Sequence, residues 1–146
     1  MMSFELESQS PGTISHHAAL IYTMILVSAS DRRMPDSELR KIGEIIRGLP
    51  VFEGYNRDLL TPTAESCAEL LDNEDGLEKA FQLIESALPP RLHETAYALA
   101  CDIAAADQEV PEVEARMLEM IRHRLKIDRL IAAGIERGAR ARYSTG

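Results

Sequence analysis

With 146 residues, 45% of them apolar and 27% charged, the chain is long enough for one domain with a real hydrophobic core and too short for two. This composition excludes low-complexity, collagen-like and wholly disordered chains. Sixteen basic against twenty-four acidic side chains leave a net charge of −8, which suits cations or basic protein surfaces and disfavours nucleic acid as a partner.

Met1 to Gly12 is polar and carries Glu5 and Glu7 with no basic stretch, so it reads as a loose tail rather than a secretory signal, leaving residues 13–146 as a single domain. The longest apolar run, Ala18 to Ala29, falls well short of the roughly twenty residues needed to span a bilayer. It predicts a buried helix from about Ser15 to Ser30, capped by Thr13 or Ser15 and touched by neighbours on nearly every side. A second helix, amphipathic, is expected from Pro35 to Arg47, with Leu39, Ile42, Ile45 and Ile46 as its apolar stripe and Gly48 and Pro50 as stop signals. Leu49 to Tyr55 holds three bulky apolar residues and predicts an ordered loop packed on the core.

Helix resumes near Asn56. Thr61 and Pro62 supply a capping residue and a first-turn proline for a helix through Leu71, and the acidic break Asp72 to Gly76 leads into another from Leu77 to Leu88. After Pro89 and Pro90 the pattern of the opening returns. An apolar helix is expected from Arg91 to Ala106, an amphipathic one from Pro111 to Lys126 and a last one from Asp128 towards Arg142. The prediction is all-α, with about seven helices and no sustained alternation of the kind a strand requires. Cys67 and Cys101 stand far apart with no metal spacing, which points to buried thiols in a reducing, cytoplasmic setting.

Shifting the chain by 76 positions brings out an internal repeat. Ala29, Asp31, Pro35 and Glu38 recur as Ala105, Asp107, Pro111 and Glu114; His17 falls on His93, Arg40 on Arg116 and Ile45 on Ile121. This is a duplicated helix–loop–helix unit, expected to form two pseudo-symmetric halves around two central apolar helices. Each unit places an aspartate at the end of its buried helix and a glutamate seven residues later. Two readings follow: the carboxylates cap loop and helix N–H groups, or the two loops meet and Asp31, Glu38, Asp107 and Glu114, helped by Asp36, Glu109 and Glu112, supply oxygen ligands to a divalent cation. An EF-hand is excluded, because Arg33 and Pro35 occupy ligand positions in a loop starting at Asp31, and a loop anchored on Gly76 would begin at Leu71.

These paired signatures, Ala29-Ser30-Asp31 to Glu38 and Ala105-Ala106-Asp107 to Glu114, together with Leu49-Pro50-Val51-Phe52-Glu53-Gly54, resemble the TerB-like tellurite-resistance family over roughly Ala18 to Ile131. The resemblance implies a seven-helix domain with acidic loops linked to metal binding, in a family associated with stress responses and membrane-associated complexes. The glycine that usually follows the motif aspartate is Arg32 in one unit and Gln108 in the other.

Other candidates carry less. His16 and His17 are successive residues, about 100° apart on a helix, and predict a surface pair rather than a ligand pair. His17 and His93 fit packing or capping roles near helix starts. Asp102 interrupts an apolar helix where the repeat has Leu26, and so needs solvent, a partner or a cation. Residues 122–146 carry +5 and residues 1–121 carry −13, so the basic end can complement its own domain, an acidic partner or anionic lipid. No nucleophile elbow, phosphate loop or zincin motif is present. The expectation is a non-enzymatic stress-response domain with a divalent cation at its acidic loops and a protein partner, peripheral to membranes at most, with self-association open. The alternative is an interaction module whose acidic residues only cap helices.

Overall fold

The computed structural model describes residues 13–28, 36–106 and 112–146. The expected tail, Asp31, Asp107 and most of both acidic loops lie outside them. Seven α-helices occur among the described residues: α1 His16–Ser28, α2 Asp36–Ile46, α3 Leu60–Leu71, α4 Gly76–Ala87, α5 His93–Ala106, α6 Glu112–Arg124 and α7 Arg129–Arg142. Short 3₁₀ turns at Pro50–Phe52, Arg57–Leu59 and Pro90–Leu92 lead between them.

The unbroken apolar character of α1 has the predicted result: every residue from Ala19 to Val27 is buried. Thr23, the polar member of that run, donates its hydroxyl to the Ala19 carbonyl at 2.8 Å, so its burial leaves no orphan group. Ser15 caps the helix by accepting the Ala18 N–H at 3.0 Å. The second central helix, α5, buries Ala96, Tyr97, Leu99, Ala100, Cys101, Ile103 and Ala104 and packs more extensively on α1 than any other helix does. Around this pair lie α3 and α4 on α1, α7 on α5, and α6 touching both. The shift of 76 carries α1 onto 92–104 and α2 onto 112–122, within two residues of the observed ends of α5 and α6.

Helix ends follow local chemistry. Gly76 opens α4 directly against the end of α3: a Cβ there would meet the Leu70 carbonyl oxygen at 2.0 Å, so only glycine fits. Gly48 takes φ +80 two residues beyond α2, and Lys126 takes φ 57 at the same place beyond α6. There the Ile127 N–H reaches the Arg122 carbonyl at 3.0 Å and the Lys126 N–H that of His123 at 3.1 Å, the double bond pattern of a left-handed helix terminus. One expected cap is corrected. Thr61 does not cap α3, which begins at Leu60 as the continuation of the Arg57–Leu59 turn; Asn56 caps that turn by accepting the Asp58 N–H at 3.0 Å.

The loop after α2 packs on the core as predicted, with Phe52 buried. His17 stacks on Phe52 at 5.0 Å and donates Nε2–H to the Val51 carbonyl at 2.7 Å, clamping the loop to the start of α1. His93 does the equivalent for the other half: its Nδ1 lies 3.1 Å from the Leu125 carbonyl in the connection after α6, and its Nε2 lies 3.3 Å from that of Leu88.

Candidate functional site

Glu38 and Glu114 occupy the same place in α2 and α6, the third residue of each helix, and neither is a freely solvated surface carboxylate. Glu114 is 7% exposed. Glu38 sets Oε2 3.4 Å from Lys41 Nζ, while its Oε1 is buried and accepts no hydrogen bond. A carboxylate oxygen removed from water without a donor costs free energy, so its burial calls for a compensating group.

Capping supplies none in the usual way. A capping box pairs a glutamate with the backbone N–H three residues earlier. Three residues before Glu38 and Glu114 stand Pro35 and Pro111, which have neither an N–H to donate nor a side-chain oxygen to return the bond. The spacing that suggested a cap therefore contains the residue type that prevents its reciprocal half.

Asp31, Glu109 and Asp107 fall outside the described residues, as does the side chain of Glu112; Asp36 is exposed. Among the described residues no three His, Cys, Asp or Glu side chains converge where an ion would sit. Glu38 and Glu114 are thus the described members of the expected ligand set.

The histidines have structural surroundings. His16 and His17, expected to diverge, bring their rings to 4.1 Å instead, because α1 begins at His16 and no preceding turn restricts its side chain. Partial burial foremost, then the neighbouring His17 and Arg91, holds the His16 imidazole below its usual pKa. His123 is exposed and accepts from Arg122 Nη2 at 3.1 Å.

Asp102 has a partner, and it comes from the basic end of the chain. Arg142 of α7 donates Nη2–H to its Oδ1 at 2.5 Å, and one and a half turns earlier Tyr97 donates its hydroxyl to Glu136 Oε2 at 2.5 Å. Both contacts advance along α5 and α7 in the same direction, so the two helices run side by side and parallel. Burial, followed by the Glu136 bond, drives the Tyr97 pKa well up, keeping the hydroxyl a donor. Burial likewise pushes the Cys67 and Cys101 thiols up to about 12, making both inert at neutral pH. Arg124 at the end of α6 reaches across to α4, binding Glu85 at 2.7 Å and Glu78 at 2.8 Å while lying 4.7 Å above the Phe81 ring.

Sequence reasoning missed one feature. The structure has a groove of about 860 Å³ whose floor is α5 and whose walls are α6 and α7. Its signal was present as Tyr97, Cys101, Ala104 and Ala105 at i, i+4, i+7 and i+8, yet such a face reads alike whether a helix or a cleft lies above it.

No described helix is long and apolar enough to cross a membrane. Neither the curated proteins nor the solved structures provide a match to this chain. The family model of tellurite resistance protein TerB matches residues 17–134, from the clamp histidine of α1 into α7, and with that span of an all-helical chain the protein belongs to the TerB family.

Proposed function

We propose that this protein is a non-enzymatic, cytoplasmic stress-response domain of the tellurite-resistance kind, with residues 13–146 as one folding unit, holding a divalent cation through Asp31, Glu38, Asp107 and Glu114. The observation that carries the reading is the buried Oε1 of Glu38, which accepts no hydrogen bond and has proline where a capping donor would stand. Its repeat counterpart Glu114 is buried at the equivalent place. Hard oxygen ligands of this kind suit calcium, magnesium or manganese, and a bound ion would compensate the desolvated Oε1 of Glu38. Metal bridging the two units would join α2 and α6 through their first turns.

The test is thermal unfolding of chelator-stripped protein with and without calcium, magnesium, manganese and zinc. Binding at one hundred times Kd adds about 2.7 kcal/mol of stability, a rise of roughly 5 to 10 °C in the midpoint for a domain of this size. The expected result is a rise with at least one ion that is lost in the Glu38→Gln, Glu114→Gln double variant. No rise with any ion would leave the repeat as a structural device and turn the search to a partner-binding surface.

A further inference from the structure

The groove between α6 and α7 has a chemistry of its own. Its volume of about 860 Å³ lies in the range of roughly 300 to 1,000 Å³ typical of small-molecule sites. The floor and walls are lined by small apolar residues, Ala104 and Ala105 on α5, Ala115 on α6 and Ala139 on α7, which leave a trough rather than a filled seam. Three arginines line it as well: Arg116 and Arg122 from α6 and Arg140 from α7.

Charge makes this cluster distinctive. The chain as a whole carries −8, so three arginines gathered around one cleft run against its overall sign. Arg116 and Arg140 are exposed and have no carboxylate partner among the described residues. Of the two glutamates lining the groove, Glu136 is engaged by the Tyr97 hydroxyl and Glu119 is exposed. Arginines on both helical walls of an alanine-lined trough match a ligand with an acidic head and an apolar body.

We infer that this groove binds a single-chain anionic amphiphile, its acyl chain along Ala104, Ala105 and Ala139 and its acid group on Arg116 and Arg140. The cleft's volume favours a small molecule over an acidic helix from another protein, for which it offers only a partial seat.

Calorimetric titration of the full-length, chelator-treated protein with dodecanoate below its micelle concentration tests this apart from any metal effect. The account expects saturable one-to-one binding. It expects at least tenfold weaker binding in the Arg116→Gln, Arg140→Gln variant and in Ala105→Leu, which fills the floor without altering charge, both checked for native helicity by circular dichroism. Acetate, lacking the chain, and dodecylammonium, carrying the wrong charge, are expected to bind at least tenfold more weakly. Absence of saturable binding overturns the proposal, as does affinity unchanged in both folded variants, or dodecylammonium binding as tightly as dodecanoate. Binding of an acidic amphipathic peptide without binding of dodecanoate overturns it too, and assigns the groove to a protein partner.

Discussion

The two halves of the repeat share a plan and differ where α7 arrives. In the first half α1 is buried over nine consecutive residues, and Leu26 faces the core with 5% exposure. Its counterpart in the second half is Asp102, whose side chain is 14% exposed and paired with Arg142. Around α1 the neighbouring helices close the surface. Beside α5 the basic terminal helix is tied on by two polar contacts, and a cleft remains between it and α6. Both halves keep the same clamp, a histidine on a backbone carbonyl, and a glutamate at the third position of the following helix; they differ on the surface that α7 covers.

Reciprocal substitutions at this pair give the largest expected contrast. Leu26→Asp places an unpaired carboxylate in the core and is expected to cost about 3 to 5 kcal/mol. Asp102→Leu removes a pair whose arginine is half exposed, and is expected to change stability by no more than about 1 kcal/mol. Urea unfolding of both variants measures the difference; comparable losses would mean that the second site is as much core as the first.

Next come the clamps. Loss of the His17 or His93 ring removes one or more hydrogen bonds to carbonyls together with ring packing, and each alanine variant is expected to lose about 1 to 2 kcal/mol. Amide hydrogen exchange should show the loosening confined to residues 49–55 in one variant and to residues 123–128 in the other. Loosening of both segments by either change would break the correspondence between the halves.

The helix termini sharpen the comparison further. Gly48 and Lys126 both take left-handed backbone, which costs a side-chain-bearing residue about 1 kcal/mol or more. Gly48→Lys is expected to lower stability by about that much. Lys126→Gly is expected to raise it by up to about 1 kcal/mol, part of the gain being lost to glycine's freedom in the unfolded chain.

A further effect is confined to alkaline pH. Cys67 of α3 and Cys101 of α5 have folded pKa values near 12, above the ordinary thiol value of 9, because burial disfavours the thiolate. The folded state therefore holds these protons more tightly. The associated stability is complete below pH 9 and is lost as pH rises from 9 towards 12. The unfolding midpoint should fall over that interval less steeply in a Cys67→Ala, Cys101→Ala variant than in the native chain, and the native thiols should resist alkylation at pH 8.

Much of the fold was legible because its signals are local. The all-round apolar run of α1, the stripe of α2, the glycine and proline stops and the 76-residue repeat each fix an element without reference to the rest. What escaped depended on long-range pairing. The partner of Asp102 lies forty residues away, and the groove exists because α7 sits beside α5 without closing on α6. Of the expected metal ligands, Glu38 and Glu114 lie among the described residues, where the buried Oε1 of Glu38 and the burial of Glu114 add what spacing alone could not show. The proline three residues before each was already in the sequence, and its missing N–H weighs against the capping reading.

Direct binding of manganese to chelator-stripped protein, counted by electron paramagnetic resonance of the free ion, tests the central claim most squarely. The account predicts uptake of one ion per chain, competed by calcium or magnesium and abolished by Glu38→Gln with Glu114→Gln while the helical spectrum is retained. Free manganese equal to the total added at every protein concentration, or uptake that survives in the folded double variant, would contradict it.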